Sequence, residues 1–220
     1  MTFFKKIAAV LAALLAVGAA AAQAPITVPA PQPENVWHLD LSTGGRVSIL
    51  LRPDVAPGHV ERIRILTRQG FYNGITFHRV VDGFMAQSGD PQGTGAGGST
   101  LPDLAAEFND LPHLRGTVAM ARTQEPNSAN SQFYIMFAPR FALDRSYTVF
   151  GRVFAGMNFV DAIARGEPPA NPTRILRASI GSDNVAPPSA EELRAAAAPP
   201  AAPPAPPARP ETPSVRPPRR

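Results

Sequence analysis

The chain has 220 residues, no cysteine, 26 prolines and a formal net charge of +4. The excess lies in Lys5, Lys6 and the arginines after residue 185, so residues 25–184 are formally neutral. That balance gives no support to nucleic-acid binding, and the missing cysteines exclude disulfide bracing and argue against a zinc site.

Residues 1–22 read as a secretory signal peptide, with Lys5 and Lys6 as the charged start, Ile7–Val17 as the apolar core and a run of alanines after it. Ala20-Ala21-Ala22 and Ala22-Gln23-Ala24 both fit a small-x-small cleavage site; cutting after Ala22 avoids placing Pro25 directly behind the cut. An uncleaved anchor is the alternative reading. Residues 23–34 read as a linker.

Residues 36–51, VWHLDLSTGGRVSILL, alternate apolar and polar on both sides of a Gly-containing turn and predict a β-hairpin. Residues 56–69 change period. Val60, Ile63 and Leu66, with Thr67, fall on one helical face, Pro57 suits the first turn and Gly70 the stop. Strand-length apolar runs follow at 75–81, 84–87, 117–121, 133–137 and 148–153. A second amphipathic helix is expected over 157–165 and a closing strand over 173–181. Many short strands with two helices indicate an all-β barrel or sandwich. From residue 185 the chain is Pro- and Ala-rich with few large apolar side chains, and residues 185–220 are expected to be a disordered tail with polyproline II character.

Gly93-Thr-Gly-Ala-Gly-Gly98 matches the dinucleotide spacing G-x-G-x-x-G. Its context fails, because Ser-Thr-Leu-Pro follows where a helix should open, and no parallel sheet is indicated. Arg79 taken alone would be a structural arginine. His78 lacks a serine or acid partner, and Asp90 and Asp144 read as turn formers. His38, His59 and His113 show no metal-ligand spacing.

Two blocks carry more information: FYNGITFHRVVDGFMAQSGDPQGTGAGG at 71–98 and GTVAMARTQEPNSANSQFYIMFAPRFALDRSYTVFGRV at 116–153. In their order of FHR, GFM-x-Q-x-GD, Gly-Thr-Gly, NS-x-x-SQF and LD…YTVFG they closely resemble the cyclophilin-type peptidyl-prolyl cis-trans isomerases. The resemblance spans roughly residues 35–182, within a folded domain read as 35–184. It implies a closed eight-stranded antiparallel barrel capped by two α-helices. It also implies that Arg79 is the catalytic arginine and that Gln132 orients it and the substrate. Phe84, Met85, Tyr134 and Leu143 match the pocket for the proline ring. Gln87, Ala121 and Arg122 match the peptide groove, with Arg122 replacing a common asparagine, and Tyr147 stands where some members carry histidine. Ala142 stands where several members carry a tryptophan that bonds cyclosporin, so weak cyclosporin binding is expected. Gly93, Thr94 and Gly95 would shape a loop at the groove's rim. The implied activity is X-Pro isomerisation in exported proteins, assisting their folding in the periplasm. The partners would be proline-containing segments of unfolded or folding proteins. The protein is expected to be a monomer with no cofactor, metal or nucleic acid and no membrane insertion once the leader is removed.

Overall fold

The structure, a computed structural model, describes residues 30–197. The expected leader, the first part of the linker and residues 198–220 of the expected tail lie outside the described residues. The elements are β1 (Val36–Leu41), β2 (Gly45–Leu51), α1 (Pro57–Arg68), β3 (Arg79–Val81), β4 (Met85–Ser88), β5 (Thr117–Met120), β6 (Phe133–Met136), β7 (Val149–Ala155), α2 (Met157–Asp161), β8 (Ile175–Ile180) and α3 (Ala190–Ala197). None of the described helices is long and apolar enough to cross a membrane.

The hairpin forms as its alternation requires. Val36 pairs with Leu50 and Leu41 with Gly45, and Gly44 takes a positive φ that suits glycine at the turn. Trp37, Leu39, Leu41, Val47, Ile49 and Leu51 all point into one buried core. Helix α1 lays Val60, Ile63 and Leu66 on that core, as its period predicts. Each such side chain contributes about 1.5–3 kcal/mol of burial. Trp37 sits at the centre, edge-on to Tyr72 at 5.3 Å and Phe133 at 4.9 Å.

The eight strands make one antiparallel sheet in the order β3-β4-β6-β5-β7-β2-β1-β8. It curls into an open half-barrel, which corrects the expected closed barrel. The physical reason lies at β3, only three residues long. Its free edge is taken by Gly166, whose N–H and C=O bond the Val80 backbone at 2.9 and 2.8 Å. Strand β8 therefore never ladders with β3. Across that seam the chain just before β3 meets the residues leading into β8, through the bridge of Thr76 with Arg174 and bonds such as Phe77 N–H to Thr173 C=O. Gly166 has a φ of 141°, and a Cβ there would stand 2.6 Å from Pro169 Cα.

Helix α2 is shorter than the expected 157–165. The Arg165 guanidinium donates to the carbonyls of Asp161 and Ile163, closing the helix where the period alone would extend it. In the segment expected to be disordered, Ala190–Ala197 form α3. Ser189 and Glu192 make a reciprocal cap, with Glu192 N–H on Ser189 Oγ at 3.2 Å and Ser189 N–H on Glu192 Oε2 at 2.6 Å. The chain leading to α3 is tied to the sheet. Arg46 donates to the carbonyls of Val185 and Ala186, Arg177 to that of Ala186, and both arginines to Asp40, itself 1% exposed.

Helix α1 has no local side-chain cap at Ala56. Glu107 supplies one from 48 residues away: its oxygens accept the N–H groups of Gly58 and His59 at 3.0 Å, and Oε2 also meets His59 Nδ1. A carboxylate suits this end of the helix dipole. Burial pushes the His59 pKa down, although Glu107 opposes that. Hydrogen bonds from His59 and the two amides hold Glu107 below its usual range in spite of burial. A depressed histidine keeps its full stabilisation above the unfolded-state pKa and loses it as pH falls. Glu107 acts in the same direction at lower pH. Urea titrations are expected to show stability falling as pH drops below about 6.5, with His59→Gln flattening the first part of that fall.

Candidate functional site

Strand alternation builds two apolar faces from the same short segments. On β6, Phe133 and Ile135 enter the main core, while Tyr134 and Met136 point the other way. On β4, Ala86 faces the core and Met85 faces outward with them. Ala119 of β5 and Val149 of β7 complete a second cluster. Phe84, Ala121, Leu143 and Tyr147 pack on it from the surrounding loops. This second cluster is the floor of the site.

Pairing then places a row across the sheet. Arg79 stands opposite Gln87, Gln87 opposite Tyr134, and Tyr134 opposite Ala119. Directly opposed side chains lie about 5 Å apart on one face. The result is a cavity of about 150 Å³ lined by Arg79, Phe84, Met85, Gln87, Ala121, Arg122, Tyr134, Leu143 and Tyr147. Cavities of about this size hold one small ring. Nine of the ten expected site residues thus share one cavity. The tenth, Gln132, lines an adjoining groove of about 590 Å³ together with Gln87, Ala121, Arg122 and the loop from Gly95 to Ser99.

Gln132, expected to orient the arginine and the substrate, makes its hydrogen bonds within the groove's rim. Its Nε2 donates to the carbonyls of Gly95 and Gly97 at 3.0 and 2.8 Å, and its Oε1 accepts from Gln87 Nε2 at 2.8 Å. Among the described residues no hydrogen bond joins it to Arg79. Its partner Gln87 is the residue that stands opposite Arg79 in the strand pairing. The residue that does hold Arg79 was not singled out in the sequence: Glu167 Oε2 accepts from Arg79 Nε at 2.7 Å. Both side chains are about half exposed, so the pair adds little stability. It does restrict the guanidinium, leaving the two Nη groups without a hydrogen-bond partner among the described residues. No local signal could have marked Glu167, which lies 88 positions from its partner.

Arg122 is also more than a groove residue. Its guanidinium donates to the carbonyls of Ser146, Thr123 and Gln124 and lies 4.6 Å from the centre of the Tyr147 ring. The side chain ties two loops together and braces one wall of the cavity. Ala142 is exposed, beside Leu143 in a 3-10 turn, whereas Trp37 is buried in the main core.

The glycine loop has its own anion. Asp90, read above as a turn former, is buried. It accepts the N–H groups of Gln92, Thr94, Gly95 and Gly97 at 2.7–3.2 Å, and the Thr94 hydroxyl as well. Burial alone would raise this carboxyl, yet those donors hold it below the usual carboxylate range. The amides that could have cradled a phosphate are spent on a carboxylate of the same chain. Gly97 must be glycine, because a Cβ there would stand 2.1 Å from Asp90 Oδ1. His78 is buried behind this loop, and neither ring nitrogen finds a hydrogen-bond partner. Burial lowers its pKa and favours the neutral ring.

Comparison with known proteins agrees with this geometry. Residues 38–180 match the family described as cyclophilin type peptidyl-prolyl cis-trans isomerase/CLD. A relative from Brucella suis, named a probable peptidyl-prolyl cis-trans isomerase, is 46% identical over 199 residues, covering 83% of this chain and 99% of the relative. Peptidyl-prolyl cis-trans isomerase B of Bacillus subtilis is 38% identical, covering 58% of this chain and 89% of its own length. Among solved structures, the cyclophilin AquaCyp293 from Hirschia baltica superposes with a TM-score of 0.64 at 31% identity, covering 69% of this chain and 76% of that one. A Cryptosporidium parvum cyclophilin crystallised in the presence of the dipeptide Ala-Pro gives 0.62 at 25% identity, covering 66% of this chain and 98% of that one. The match spans all of the sheet but its first two residues and every residue lining the cavity, and the chain belongs to the cyclophilin-type peptidyl-prolyl cis-trans isomerases.

Proposed function

We propose that this isomerase acts on X-Pro bonds of exported polypeptides, assists their folding in the periplasm, and does so without covalent chemistry. The observation that carries the reading is the row from Arg79 across Gln87 to Tyr134, which sets a cationic donor at the edge of a cavity whose floor is the second apolar cluster. Rotation about a peptide bond meets a barrier of about 18–20 kcal/mol, because resonance gives the C–N bond partial double-bond character. The planar amide is more charge-separated than the twisted one. An apolar wall of Phe84, Met85, Tyr134 and Leu143 therefore disfavours the planar state. As the bond twists, the prolyl nitrogen regains its lone pair, and the Arg79 guanidinium can donate to it. Arg79 is permanently charged, so it stabilises this state without surrendering a proton. The Ala-Pro dipeptide of the Cryptosporidium parvum structure supports a minimal X-Pro unit as the ligand. The support for export is the leader-like sequence of residues 1–22, which lies outside the described residues.

In a protease-free isomerisation assay on a short X-Pro peptide, Arg79→Ala is expected to lower kcat/KM by about 100-fold. Equal rates for the wild type and this variant would overturn the mechanism. Arg79→Lys keeps the charge but loses the planar fork, and is expected to fall between them. Cyclosporin is expected to inhibit the wild type only weakly, with Ala142→Trp tightening inhibition. Nanomolar inhibition of the wild type would refute that expectation. N-terminal sequencing of the protein recovered from the periplasm is expected to begin at Gln23; an intact Met1 in a membrane fraction would contradict export with cleavage.

A further inference from the structure

Tyr134 is an unusual wall for a site whose chemistry depends on apolar surroundings. Its ring lines the cavity, yet it carries a hydroxyl. The structure shows where that hydroxyl goes. Tyr134 Oη lies 3.0 Å from His113 Nε2, and His113 Nδ1 lies 2.9 Å from Asp144 Oδ1. Asp144 Oδ1 also accepts the His113 backbone N–H at 2.8 Å. Hydrogen bonds to His113 hold the Asp144 carboxyl below its usual range. A carboxylate can only accept, so it fixes Nδ1 as the protonated nitrogen. When the ring is neutral its lone pair is on Nε2, and the Tyr134 hydroxyl donates to it. His113 is fully buried. Its ring stacks on Tyr134 at 6.1 Å and meets Tyr147 edge-on at 6.4 Å, while Tyr134 and Tyr147 meet edge-on at 5.9 Å. The His113 carbonyl accepts from Arg140 N–H, at the start of the turn that carries Leu143 and Asp144.

We infer that His113, set by Asp144, is a positioning residue for isomerisation: it holds the Tyr134 hydroxyl away from the cavity so that the proline pocket presents only the ring. Three pocket walls, Tyr134, Tyr147 and Leu143, are arranged around this one imidazole or the turn bonded to it. Without that partner the buried hydroxyl is left unsatisfied, and the ring would have to swing out of the wall for it to reach water or the substrate carbonyl. Either contact would solvate the planar amide and weaken the preference for the twisted state. The inference rests on the proposed role of the cavity as the proline pocket.

The test is a double-mutant cycle in the full chain, read as kcat and KM separately on a short X-Pro peptide and as thermal stability. His113→Phe keeps an aromatic ring behind the wall but strands the Tyr134 hydroxyl. It is expected to lower kcat about tenfold. Tyr134→Phe strands buried Nε2 and is expected to cost a few-fold. In His113→Phe/Tyr134→Phe both ends are apolar, and replacing both partners can be nearly neutral. The double variant is therefore expected to recover kcat to within about threefold of wild type. Additive losses in the double variant, or a His113→Phe variant with wild-type kcat, would overturn the inference. A loss confined to thermal stability with kcat unchanged would overturn it too, since the residue would then only brace the fold. The Arg79→Ala control separates the two readings: if it loses activity while the cycle is additive, the pocket stands and the positioning role fails.

Discussion

The structure depends on the burial of β4, β5 and β6 from both sides. A strand can offer opposite faces only through its two-residue period, so each segment of four residues must serve two apolar clusters at once. Phe133 and Ile135 belong to one, Tyr134 and Met136 to the other. The inner cluster holds the sheet together around Trp37, and the outer one is the floor of the cavity. A slip of one residue in β6 would exchange the two faces and destroy both. Stability and site geometry are thus set by the same register.

That coupling explains which parts were legible in the sequence. The hairpin and α1 follow from local period, and both are present with the predicted residues buried. The cavity was legible because its members lie within two compact motif blocks whose strands pair side by side. The open seam was not, since it turns on Gly166 reaching the edge of β3 across the chain. Helix α3 was hidden by composition. Its Pro- and Ala-rich setting suggested disorder, while the Ser189/Glu192 pair at capping-box spacing was there to be read. Glu167 and His113 act through contacts 88 and 21 residues apart, and no local pattern encodes such contacts.

The glycine loop shows how a motif can be satisfied without its usual ligand. Backbone amides gathered by glycines attract an anion whatever its origin. Here the anion is Asp90, so the amides set the shape of the loop. Gln132 then fastens that loop to β4 through Gln87. Rigidity at the groove's rim therefore comes from bonds made by residues that need not touch the reacting bond.

The buried Asp40, with Arg46 and Arg177, has a separate consequence. The three residues belong to β1, β2 and β8, and none of these strands contributes a residue to the cavity. The two arginines, fixed by Asp40, donate to the carbonyls of Val185 and Ala186, and so set the point from which the chain leaves the sheet. Whatever is joined beyond α3 thus has a built-in handle on strands that the cavity's mouth does not use. A surface, a label or a second domain could be attached there while the mouth keeps its own strands to itself.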